Sequence, residues 1–249
     1  MPETAKRKDI ITLYQSDNRI MNDAIDRIVV KLFAYREEAQ KKTILLTGCS
    51  SGNGTTTVAI NLAIALADAG WNTLLVDSDM RKSMEFKRLN SKASGLSDFL
   101  NGDCEADSVV CPTNQANLHY VQCGSHKTNI VRLLCSERMK RFITGAREAF
   151  DFVVFDCPSL TIVPDATILF PSVDCITLVL TLDSATKKQF AKAKMEIQKH
   201  NDKYAGIIVN RVDRRQYRDM FPQNDYFQEK ILRKKYKRFL KASTKARGR

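Results

Sequence analysis

The strongest constraint in this chain is an alternation. Short, almost continuously apolar runs recur at 43–47 (TILLT), 72–77 (NTLLVD), 118–123 (LHYVQC), 152–156 (FVVFD), 175–181 (CITLVLT) and 205–210 (AGIIVN). Stretches of helical character lie between several of them. One is TTTVAINLAIALADAG, ending on Gly70, a residue suited to the left-handed position just past a helix. Others run from 136 to about 150 and from 184 to about 200. Strands that are apolar along their whole length need cover on both faces, and strands separated by helices pair in parallel. The expected fold is α/β, a doubly wound, mostly parallel sheet with helices on both faces.

Composition narrows the class. Hydrophobic residues make up 43% of 249, enough for a core and too many for a disordered chain. No apolar run reaches the roughly 20 residues that span a bilayer. The opening MPETAKRKDI has no apolar leader core, so a cytoplasmic protein is expected. The seven cysteines form no CxxC pair and have no histidine at zinc-finger spacing, which reads as free thiols. Residues 1–17 read as a disordered arm and 18–228 as one folded unit. The unit opens with a helix carrying Met21, Ile25, Ile28, Val29 and Leu32 on one stripe, capped by Ser16 or Asp17. Most of the formal charge of +12 sits in a basic tail, 229–249, which alone carries +9. A body holding the remaining +3 is no general nucleic-acid surface.

Two features carry chemistry. After the first apolar run comes Gly48-Cys49-Ser50-Ser51-Gly52-Asn53-Gly54, then Thr55-Thr56-Thr57. A strand, a glycine loop and a helix start present backbone amides and a positive helix end to phosphate. A Walker A loop closes on G-K-[ST]; here Thr55 stands in the lysine position, while Thr56 keeps the hydroxyl that would hold Mg²⁺. Acids then stand at strand ends: Asp77 and Asp79 in LLVDSDMRK, and Asp156 in FVVFDCPS, where a Walker B acid is expected. Any one of these acids could be a turn or cap residue. Together with the loop they suit a hydrated Mg²⁺, with Thr56, Asp77 and Asp156 as its expected ligands.

The series TILLTG…GNGTTT, LLVDSDMRK, GLSDFLNGD, NLHYVQCG, FDFVVFDCPS…PDATIL and GIIVNRVD resembles the cytoplasmic bacterial tyrosine kinases (BY-kinases of the CpsD/CapB type). These are P-loop proteins related to the MinD/ParA ATPases. LLVDSDMRK is the most specific element, matching the Walker A′ motif of those kinases. The resemblance implies ATP and Mg²⁺ as cofactors and a role in capsule or exopolysaccharide assembly. It also implies a membrane adaptor whose cytoplasmic tail stimulates the kinase, homo-oligomerisation, and autophosphorylation on a C-terminal tyrosine cluster. By resemblance the nucleotide is held by Gly52, Asn53, Gly54, Thr55, Thr56, Thr57 and Arg81, with Asn210 as a base-contacting amide. Asp77, Asp79 and Asp156 are the implied catalytic acids.

Departures from the pattern each touch a different implied activity. Thr55 cannot supply the lysine's charge; Arg81 or Lys82 is the nearest substitute. The family's ExxRxxR oligomer motif falls near Asp23, Asp26 and Val29, where neither arginine is present, and Tyr217, Tyr226 and Tyr236 are spread rather than clustered. Three functions compete: a tyrosine kinase with a relocated cation, a nucleotide-binding regulator without kinase activity, and a MinD/ParA-like positioning ATPase, which the Walker A′ segment and GLSDFLNG disfavour. In the tail, Ile231, Leu232, Tyr236, Phe239 and Leu240 fall near one helical face among Lys and Arg. Such a segment suits an anionic membrane surface, so a peripheral position at the inner membrane face is expected.

Overall fold

The computed structural model describes residues 10–81, 94–125, 129–182 and 186–213. Its centre is a seven-stranded sheet: β1 (Thr43–Gly48), β2 (Thr73–Asp77), β3 (Cys111–Pro112), β4 (Leu118–Val121), β5 (Phe152–Cys157), β6 (Cys175–Thr181) and β7 (Tyr204–Asn210). The spatial order is β3-β4-β2-β5-β1-β6-β7. Every pairing is parallel except the short β3 against β4. The mostly parallel sheet expected from the alternation is thus what forms. The two strands at its heart, β1 and β5, are buried at every residue.

Alternate strand residues feed two cores. Ile44, Leu46, Leu75 and Val154 face helices α1 (Arg19–Ala39) and α2 (Thr55–Asp68). Leu45, Leu74, Val76, Val153 and Phe155 face the other layer. That layer is built by α3 (Leu96–Asn101), α4 (Ala106–Val109), α5 (Ile130–Leu134), α6 (Glu137–Ala149), α7 (Asp165–Leu169) and α8 (Lys187–Gln198). Because side chains alternate along a strand, one apolar run lines both cores, which is why these strands show no polar face.

Helix ends follow local chemistry. Ser136 caps α6 by accepting from the Met139 amide, as its position in the sequence indicates. Gly70, at φ 92°, takes the left-handed conformation after α2. The cap of α1 is Asn18, not Ser16 or Asp17. Its side chain accepts from the Ile20 and Met21 amides, and Ser16 instead gives its own amide to Asn61 Oδ1 at 2.8 Å.

The expectation of a loose arm over 1–17 is corrected for its second half. Ile11 donates its amide to the Pro112 carbonyl at 3.0 Å and forms a parallel bridge with Thr113 at the β3 edge. Leu13 and Asn114 exchange two hydrogen bonds, Leu13 N to Asn114 Oδ1 at 2.7 Å and Asn114 Nδ2 to the Leu13 carbonyl at 3.0 Å. Ile11 and Leu13 are both 4% exposed, and their burial helps hold the segment. Residues 1–9 and the basic tail lie outside the described residues. Among the described residues, no helix is long and apolar enough to cross a membrane.

Candidate nucleotide-binding site

The site lies at the C-terminal ends of β1, β2 and β5, with β6 and β7 closing one side. The chain leaves β1 at Gly48, turns through 49–54 and enters α2 at Thr55, with Gly54 as the N-cap. Gly52 and Gly54 both stand at φ 78°, a left-handed conformation that a residue with a Cβ adopts at a cost. Gly48 is required for a different reason: a side chain there would run into Ser159 Oγ and Thr55 Oγ1. Thr55 therefore lies over the end of β1, while Thr56 and Thr57 are exposed at the first turn of α2.

A phosphate-binding loop must turn its carbonyls outward so that its amides can face an anion. Here three of the loop carbonyls are held by side-chain donors. Thr161 Oγ1 donates to the Cys49 carbonyl at 2.7 Å and Ser159 Oγ to the Ser50 carbonyl at 2.8 Å. Asn210 Nδ2 donates to the Asn53 carbonyl at 2.8 Å. Asn53 itself is buried; its amide nitrogen donates to the Val179 carbonyl at 2.9 Å and its Oδ1 accepts from Ser50 Oγ at 2.7 Å. Asn53, Ser159 and Thr161 thus tie the loop to β6 and to the segment after β5. The sequence reading placed Asn53 among the nucleotide contacts and passed over Ser159 and Thr161. Nothing in their residue type marks them, because a hydroxyl or an amide fits any turn.

Opposite the loop stand the acids. Sheet register puts Asp77 at the end of β2 directly across from Asp156 on β5. Asp77, Asp79 and Asp156 are 2%, 5% and 4% exposed, an unusual degree of burial for carboxylates and one that marks a site rather than a surface. Asp77 Oδ1 accepts from the Asp79 amide at 3.0 Å, and Asp77 Oδ2 accepts from Tyr120 Oη at 3.3 Å. Burial pushes the Tyr120 phenol well above its ordinary value of 10.0, with the neighbouring Asp77 and Asp156 charges acting in the same direction. The Cys157 thiol is likewise pushed well above 9.0, by burial first and then by Asp156, so it is no nucleophile. Tyr120 was missed at the sequence level because LHYV reads only as strand.

Among the described residues, no three His, Cys, Asp or Glu side chains converge as a metal cage. The arrangement fits Mg²⁺ nonetheless, since that ion keeps several waters and is usually held by one or two carboxylates plus phosphate oxygens. Arg81 departs from expectation. Its guanidinium grips Asp165, at the start of α7, in a two-pronged ion pair with both contacts at 2.7 Å. Asp165 is 2% exposed and belongs to the PDATIL run, for which the sequence offered no role. Lys82 lies outside the described residues. Asn210, expected as a base-contacting amide, places its Nδ2 against Gly54 and the Asn53 carbonyl.

A parallel sheet with a glycine loop and acids at its C-terminal edge defines a P-loop nucleotide-binding domain. The profile of the CobQ/CobB/MinD/ParA nucleotide binding domain family matches residues 44–233. Within that class the chain belongs to the bacterial tyrosine-protein kinase family. It is 36% identical over 174 residues to the tyrosine-protein kinase CpsD of Streptococcus pneumoniae serotype 4, covering 69% of this chain and 77% of that one. To the tyrosine-protein kinase YwqD of Bacillus subtilis it is 32% identical, covering 70% and 73%. The solved BceF tyrosine kinase domain superposes with a TM-score of 0.68 at 27% identity, covering 76% of each chain. MinD of Pyrococcus horikoshii, complexed with Mg-ADP, shares the fold alone: TM-score 0.58 at 23% identity over 70% of this chain and 72% of that one.

Proposed function

We propose that this chain binds ATP with Mg²⁺ and serves as a protein-tyrosine kinase-like component of capsule or exopolysaccharide assembly, working beside a membrane adaptor. The observation that carries the reading is the register of Asp77 against Asp156 beside a glycine loop whose Cys49, Ser50 and Asn53 carbonyls are held by side-chain donors. Bound ATP·Mg²⁺ would supply the transferable phosphoryl group and the metal charge that stabilises it. In this assignment Gly52, Gly54 and Thr57 shape the amide-lined cradle, and Thr56, Asp77 and Asp156 hold the metal and its waters. Asp79 stands as an acid beside the attacking hydroxyl. The nucleotide unit of 18–228 takes in residues 10–17 as well, and the tail 229–249 holds the protein at the inner face of the membrane. Each basic residue near an anionic surface is worth roughly 1 kcal/mol at low salt.

One observation favours a second reading, a nucleotide-binding regulator without kinase turnover. Thr55 occupies the lysine position, and losing one group aimed at developing phosphate charge costs on the order of 10²–10³ in rate. Arg81, the substitute at hand, is engaged by Asp165. The test uses the purified full chain with ATP and Mg²⁺, with and without the adaptor's cytoplasmic tail. Phosphotyrosine that accumulates supports the kinase. Binding of Mg·ATP by calorimetry without phosphotyrosine supports the regulator, and no binding at millimolar nucleotide sinks both. For the tail, the full chain should sediment with anionic vesicles and release at high salt, while a chain ending at Gln228 stays in solution; equal behaviour of the two defeats the membrane assignment.

A further inference from the structure

The side chain at the end of β7 does work that neither the family resemblance nor the loop motif assigns to it. Asn210 stands where the resemblance implies an amide that reads the nucleotide base. Its Nδ2 donates to the Asn53 carbonyl at 2.8 Å, and the same nitrogen occupies the space that a Cβ on Gly54 would need. Gly54 is the N-cap of α2 and has no side chain to cap it. Asn210 therefore touches the loop at the two residues that launch the helix. Asn53, whose carbonyl it holds, is anchored in turn to β6 through Val179.

We infer that Asn210 is a positioning residue of the phosphate loop, fixing the Asn53–Gly54 peptide so that the cradle keeps its shape. This rests on the nucleotide reading above. Its physical logic is that of preorganisation. A loop without a lysine must hold an anion largely through backbone dipoles, and those act only if they are fixed before the ligand arrives. Without the Asn210 donor the Asn53 carbonyl would be freer to swing inward, where it would repel phosphate. Ser159 and Thr161 do the corresponding work at Ser50 and Cys49.

The experiment compares Mg·ATP with inorganic tripolyphosphate, which carries the phosphates and no base, on the full chain and its Asn210→Ala variant. A positioning role weakens both ligands by the same factor, about three- to tenfold, the worth of one net hydrogen bond. A loss confined to ATP would make Asn210 a base reader and overturn the inference, as would no loss for either ligand. Asn210→Ser gives the same comparison should the alanine variant unfold. Gly54→Ala supplies a second measurement. The new methyl group collides with the Asn210 amide, so its penalty should shrink when Asn210 is already alanine; strictly additive penalties count against the contact. Wild-type protein that binds neither ligand removes the nucleotide reading and this inference with it.

Discussion

The two sides of the candidate site are held by different means. On the loop side the functional groups are backbone amides, and their geometry is set by side chains from elsewhere: Ser159, Thr161 and Asn210. On the acid side the functional groups are side chains, and their geometry is set by backbone: β2 and β5 pair in register and deliver Asp77 opposite Asp156. A loop held by a few donors can be distorted by one substitution. A carboxylate at the end of a central strand stays in place when its chemistry is changed. The loop should therefore respond to changes of shape, and the acids to changes of charge.

The largest effect is expected where shape is most constrained. Gly54→Val puts a β-branched residue at φ 78° and a side chain into Asn210. Backbone strain and overpacking each cost roughly 1–3 kcal/mol, so Mg·ATP affinity by calorimetry should fall at least about thirtyfold. Asp77→Asn keeps the shape and removes charge. It should abolish the Mg²⁺ dependence of nucleotide binding, about 10–100-fold, while binding measured in EDTA stays at the wild-type level. A loss in EDTA as well would mean that the acid side depends on shape too. Thr55→Lys adds the missing cation at the start of α2 and should tighten Mg·ATP about tenfold, the scale of one charge-assisted hydrogen bond. No change would show that position 55 does not face the phosphates.

The smallest effect concerns pH. Tyr120 and Cys175 titrate higher in the folded protein than in the unfolded chain, Cys175 up to about 11 from 9.0 through burial. The unfolded chain thus loses these protons first as pH rises. The stability they confer is complete below the ordinary values and drains away above them, at up to about 1.4 kcal/mol per pH unit for each group. Urea midpoints between about pH 8 and pH 11 should fall accordingly. Tyr120→Phe should flatten that decline while costing about 1 kcal/mol at neutral pH for the lost bond to Asp77. An unchanged slope would remove Tyr120 from the account.

Much of this was legible before any coordinates. Apolar runs such as FVVFD announce buried parallel strands because both faces must be covered. Gly48, Gly52 and Gly54 announce a tight loop, and the acids at strand ends announce where a ligand sits. What stayed hidden depends on contacts between residues far apart in sequence. Nothing local distinguishes Thr161 from any threonine, or tells that Tyr120 reaches Asp77. Arg81 looked available for phosphate until α7 brought Asp165 to it. Residues 10–17 looked loose because nothing local gives them a period or a partner, and the β3 edge supplies the bonds that hold Ile11 and Leu13. The short helices α3, α4, α5 and α7 escaped notice because 4–6 residues are too few to show a period.

That edge has a consequence for how the molecule is put together. The partners of Leu13 lie 101 positions downstream, at Asn114, and Ile11 bonds to Pro112 and Asn114. During synthesis these bonds have to wait until the ribosome has released the receiving residues, and closing so long a loop carries an entropic cost that β3 and β4 must already be in place to offset. Ile11 and Leu13, translated more than a hundred residues ahead of β4, join the sheet only after it, so the order of assembly at this edge runs against the order of the sequence.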